Sequence, residues 1–110
     1  MENPPANFTV LIKSELTGAQ GSQISVGLAE VAPHFTGAPH HHVGDEVVFM
    51  LEGSITFTLD GKPDVTLKVG ETCHIPARQV HFGTTANEPV KFLSIQVQEA
   101  GTPVGRVQAE

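Results

Sequence analysis

The chain has 110 residues, 39% of them hydrophobic, with twelve acidic against six basic side chains and a net charge of −6 when histidine is neutral. This length holds one domain that removes about 60–68% of its unfolded surface from water, and the composition excludes disorder. The six cations Lys13, Lys62, Lys68, Arg78, Lys91 and Arg106 are scattered, so no basic patch offers itself to nucleic acid or an anionic membrane.

In chain order, residues 1–7 read as a loose, proline-containing lead, and Phe8 to Lys13 as a short strand. Ile24, Val26 and Leu28 alternate with polar or small residues, which predicts a strand with one buried face. Thr36-Gly37-Ala38-Pro39 reads as a turn. Val47-Val48-Phe49-Met50-Leu51 is apolar at every position, the mark of a strand covered on both faces. Ile55-Phe57-Leu59 and Val65-Leu67-Val69 alternate again, and Asp60-Gly61-Lys62 between them is a hairpin signal. Leu93-Ile95-Val97 predicts the last strand, and residues 99–110, interrupted by Gly and Pro, an arm or tail. Roughly seven to nine short strands with no crossover helix predict an all-β domain over residues 8–98, a small antiparallel β-barrel or two-sheet sandwich.

A single cysteine, Cys73, excludes an internal disulfide and any zinc site built on thiolate pairs. No apolar run approaches a membrane span and the opening residues lack a secretion signal, so the expected location is the cytoplasm. With neither Trp nor Tyr, any aromatic platform must come from the six Phe, and no tyrosine hydroxyl is available for acid–base work. The local excess is histidine: six in all, four of them between His34 and His42.

In His40-His41-His42-Val43-Gly44-Asp45-Glu46, residues two apart share a strand face, so His40 and His42 aim at one point while His41 turns away. Glu46 has the same parity, and Asp45 is its competitor as the carboxylate. His81 follows a strand and a turn that can return it to the same place. Three neutral imidazoles and a carboxylate make a strong site for one first-row divalent ion, whether Fe, Mn, Ni, Cu, Co or Zn. The plainer alternative is an exposed, polar histidine triplet. His34 reads as a loop residue, His74 as a packed, hydrogen-bonded one, and Cys73 as a small buried hydrophobe rather than a reactive thiol.

These residues resemble the cupins, whose first motif runs Gly, five residues, His-x-His, three or four residues, Glu, six residues, Gly. His40-x-His42, Glu46 and Gly53 reproduce it from the first histidine onward. The second motif, Gly, five residues, Pro-x-Gly, two residues, His, three residues, Asn, is matched in spacing by Gly70, Pro76 and His81. Here His34 stands at the opening glycine, Arg78 at the turn glycine and Thr85 at the asparagine; with Arg78 the turn is expected to be rebuilt without a positive φ.

The resemblance implies a small bacterial single-domain cupin, similar to the quercetin-cleaving dioxygenases, with one metal ion held inside the barrel by His40, His42, Glu46 and His81. Val48 and Met50 share the parity of Glu46 and are expected in the cavity wall, and Thr85 shares that of His81. The left-over face Val47-Phe49-Leu51 suits a homodimer. The implied function is a dioxygenase-type oxidoreductase acting on a small enolic or phenolic compound, Glu46 serving as ligand and base. The alternatives are a metal-dependent isomerase or lyase of sugar-acid-like substrates and a non-catalytic small-molecule binder.

Overall fold

The alternating stretches pair as antiparallel strands, as a side-chain period of two requires. The computed structural model describes residues 5–108, among which there are ten strands: β1 Ala6–Glu15, β2 Ser22–Val31, β3 His40–His41, β4 Asp45–Glu52, β5 Ile55–Leu59, β6 Val65–Leu67, β7 Thr72–Ile75, β8 His81–Thr85, β9 Val90–Glu99 and β10 Val107–Gln108. They form two five-stranded sheets in the orders β1-β2-β9-β4-β7 and β10-β3-β8-β5-β6. No helix among the described residues is long and apolar enough to cross a membrane. The Asp60-Gly61-Lys62 hairpin joins β5 to β6, with Gly61 at φ 77 where a side chain would be strained. Between the sheets, Val48, Met50, Ile55, Phe57, Leu59, Leu67, Ile75 and Val90 form the apolar core.

The first sheet turns a different face inward from the one its apolar alternation suggests. Register pairs Val26 with Ile95 and Ile95 with Val47, and likewise Leu28 with Leu93 and Leu93 with Phe49. These apolar rows lie on the outside, where Val47, Phe49, Leu51 and Val97 remain 36–41% exposed. The alternate rows, Ser25–Gln96–Glu46 and Gly27–Ser94–Val48, face the interior. Val47 to Leu51 is thus covered on one face only in the single chain. Alternation tells which residues share a face, and pairing with neighbours tells which face is inside.

Both motif glycines that this sequence replaces keep a glycine-like backbone. His34 has φ 55 and Arg78 has φ 65, which corrects the expectation that the Arg78 turn avoids positive φ. Backbone hydrogen bonds hold each one: His34 N–H to the Ala86 carbonyl at 2.7 Å, and Arg78 N–H to the His42 carbonyl at 2.8 Å. They maintain a conformation that costs a residue with a Cβ roughly 1–2 kcal/mol.

Candidate metal centre

The second sheet brings the first two imidazoles together. His40 on β3 lies directly opposite His81 on β8, with ring centroids 4.4 Å apart. His42, just beyond β3, puts its ring 5.3 Å from that of His81. The chain then crosses to the first sheet through Val43-Gly44. A Cβ on Gly44 would lie 1.9 Å from the Val97 carbonyl oxygen, so only glycine permits this close passage. The crossing returns Glu46 on β4 to the interior, where its Oε1 stands 3.2 Å from His42 Nε2 and 3.4 Å from His81 Nε2.

Each imidazole is tied from behind by a backbone carbonyl. His40 Nδ1 donates to Ala38 at 2.9 Å, His42 Nδ1 to Gly105 at 2.6 Å and His81 Nδ1 to Gln79 at 2.8 Å. A carbonyl only accepts, so the proton of each neutral ring sits on Nδ1 and the Nε2 lone pair is free. One ligand atom from each of the three histidines lies within 4.8 Å of the others, an arrangement that can hold a metal ion. Glu46 Oε1, buried and without a hydrogen bond, faces two of these lone pairs. Acceptors converging with no proton between them call for a cation, and carbonyls oriented behind the rings are the usual support of metal-binding histidines.

A proton on His42 is the alternative to that cation, and burial and the neighbouring charges set the balance. For Glu46 burial disfavours charge, but the His42 and His81 rings and the Ser94 hydroxyl outweigh it and hold the carboxyl well below the usual carboxylate range. For His42 burial likewise opposes charge, and the Glu46 carboxylate outweighs it, raising the pKa above 6.5. His40 has no such partner; burial, opposed by its bond to Ala38 and reinforced by the neighbouring rings, lowers it to about 4.

The histidines open onto a cavity of about 340 Å³. Four of the six Phe, namely Phe8, Phe35, Phe57 and Phe92, line it together with Val31 and Ile55. Its wall is not built from Val48 and Met50: both are fully buried in the apolar core, inward-facing as their parity requires but away from the lining. Thr85 is also absent from the lining. Its hydroxyl donates to the Ala32 carbonyl at 2.7 Å and accepts the Phe35 N–H at 3.0 Å, tying the 32–35 loop to β8.

Asp45 points away from the centre, 2.6 Å from His74, and both side chains are more than half exposed, so His74 is hydrogen-bonded but not packed. His41 stands outside the cluster. Cys73 is half-buried, and burial, then the charge of Glu46, pushes its thiol up to about 11, as expected of an inert cysteine. Sequence reasoning missed Ser94 and Gln96, although their alternation with Leu93, Ile95 and Val97 marks them as one face. It also missed Gly105 and Arg106, which lie in the segment read as a tail and line the cavity.

A two-sheet antiparallel barrel with histidines from one sheet and a carboxylate from the other converging inside it defines a β-barrel protein with a candidate metal centre. The cupin domain family matches residues 27–96, and the chain belongs to that family. It is similar to a structure from the DMSP lyases RdDddP and RnDddQII, with 25% identity and a TM-score of 0.72 over 79% of this chain and 44% of that one. It resembles DMSP lyase DddQ from Ruegeria pomeroyi DSS-3 at 20% identity and a TM-score of 0.79, covering 96% of this chain and 52% of that one. KdgF from Halomonas sp. is 14% identical, with a TM-score of 0.67 over 84% of this chain and 80% of that one. The chain thus spans about half the length of the two lyase chains. No curated protein matches it.

Proposed function

We propose that this cupin is a metal-dependent enzyme acting on a small oxygen-bearing organic compound, with one divalent ion held by His40, His42, His81 and Glu46. The observation that carries this reading is the set of three Nδ1-to-carbonyl bonds, which leave three Nε2 lone pairs free in one cluster, two of them facing the unpartnered oxygen of the buried Glu46 carboxylate. When bound, the ion supplies Lewis acidity to a ligand oxygen and, if redox-active, a route for electrons to dioxygen. Glu46 is ligand and base: the substrate O–H bond breaks, the proton passes to its carboxylate, and the electron pair stays on the substrate oxygen. The phenylalanine walls exclude water, which strengthens every charge interaction inside.

The first assignment is a dioxygenase-type oxidoreductase of a small enolic or phenolic compound. The second is a lyase or isomerase of a sugar-acid-like compound, and the 25% identity to a chain from the DMSP lyases supports its lyase reaction type. In both, Glu46 takes a substrate proton: from O–H in the first, and in the second from the carbon beside a carboxylate, whose freed electron pair forms the new C=C bond as the leaving group departs; they part at the need for oxygen. Oxygen uptake by the Fe-, Mn-, Ni- or Cu-loaded protein with flavonols and diketones tests the first. Turnover of sugar acids under nitrogen supports the second and excludes the first. The outer apolar rows of the first sheet support a homodimer, since a second copy of the same face would cover Val47, Phe49 and Leu51.

A further inference from the structure

The polar character of the cavity is lopsided. Among the described residues Glu46 is its one acidic lining residue and Arg106 its one Lys or Arg, while aliphatic and phenylalanine side chains supply most of the rest. Arg106 is exposed at the mouth, and its side chain has no ion pair or hydrogen bond among the described residues. Its position is nevertheless set by the chain on both sides. The preceding carbonyl, of Gly105, accepts the His42 Nδ1 bond at 2.6 Å, and the following residue, Val107, pairs with His41 in the second sheet. The guanidinium is thereby carried on a segment anchored to the histidine strand, and Arg106 lines the same cavity as His40, His42 and His81.

We propose that the cavity takes a small organic acid, an apolar body bearing a carboxylate that Arg106 holds at the mouth and a second oxygen function turned to the histidines. This rests on the metal reading above and names the substrate class for it. A guanidinium with no partner among the described residues, beside a bound dication, accumulates positive charge that the Glu46 carboxylate alone does not balance. An anionic ligand balances it, and the planar fork of arginine matches a carboxylate through two parallel hydrogen bonds. The apolar walls suit a hydrocarbon body, and a volume of about 340 Å³ limits it to a small one.

The test uses zinc-loaded protein with benzohydroxamate, which chelates through its two oxygens, and its para-carboxy analogue, both followed by calorimetry. In the wild type the carboxylate is expected to tighten binding about tenfold, a charge-assisted contact discounted for exposure. Arg106→Ala should abolish that gain, Arg106→Lys should restore part of it, and benzohydroxamate itself should bind all three proteins alike. A carboxylate gain that is absent in the wild type, or that persists in Arg106→Ala, overturns the proposal and leaves the metal reading intact. Failure of the wild type to take zinc overturns the metal reading instead. In that event, benzoate against benzamide on the same proteins reads the anion contact without an ion, with the same expected and overturning results.

Discussion

Ser94 on β9 donates its hydroxyl hydrogen to Glu46 Oε2 on β4, leaving Oε1 turned toward His42 and His81. The contact ends a chain of donors running one way along the polar interior row: Gln98 Nε2 to Gln96 Oε1, then Gln96 Nε2 to Ser94 Oγ, each 3.2 Å. The polar interior of the first sheet is therefore the scaffold of its carboxylate.

Ser94→Ala leaves Glu46 buried without that donor, at a cost of about 1–3 kcal/mol, and frees the carboxylate to rotate. Zinc affinity, measured by competition with a chromophoric chelator, should fall by about 10–100-fold, as for lost support of metal ligands generally. Unchanged affinity would show that Ser94 does not orient Glu46 for the ion.

His42→Ala removes the lone pair nearest Glu46. In the wild type a hundredfold excess of zinc over its dissociation constant should add about 2.7 kcal/mol of stability, visible as a rise in Tm. The variant should show little or no rise. An equal rise in both proteins means that the ion sits elsewhere.

His34→Gly and Arg78→Gly should each stabilise the fold, because glycine occupies φ 55 and φ 65 without a Cβ clash and both backbone hydrogen bonds are kept. The left-handed strain relieved is roughly 1–2 kcal/mol, and the extra freedom of glycine in the unfolded chain takes back part of it. A net gain of about 0.5–1 kcal/mol by urea denaturation is expected for each. Destabilisation would mean that the side chain contributes contacts larger than the strain.

The Cys73 thiol, at about 11 instead of 9.0, carries about a hundredfold less thiolate at pH 8 than an ordinary cysteine. Its alkylation by iodoacetamide should therefore be slow at pH 8 and its rate should keep rising as pH approaches 11. A plateau near pH 9 in the folded protein contradicts the buried, Glu46-facing placement.

On the outer face, Phe49→Asp puts a charge into the row Leu28–Leu93–Phe49. If two copies pack there, sedimentation of the wild type gives twice the 11.7 kDa chain mass and the variant gives one. A monomeric wild type removes the homodimer.

By itself the sequence determined the strands, the hairpin at Asp60-Gly61-Lys62 and the shared parity of His40, His42 and Glu46. Each is a consequence of local geometry, since residues two apart on a strand lie on one side whatever the chain does next. Asp45 went to the opposite face from Glu46 for that reason. Only the tertiary structure decided which side is the interior. Ile24, Val26 and Leu28 lie outside because they pair with Val97, Ile95 and Leu93 on β9, whose alternate residues Ser94 and Gln96 face inward beside Glu46. Val48, Met50 and Thr85 have the inward parity expected of them, but depth along the barrel assigns them to the core and to a loop tie instead of the cavity wall. Arg78 retains a left-handed turn because the His42 carbonyl, far away in sequence, holds its N–H. Gly105 and Arg106 join the site because β10 pairs with the histidine strand β3. Such assignments depend on contacts between segments remote in the chain, which residue spacing within one segment does not specify.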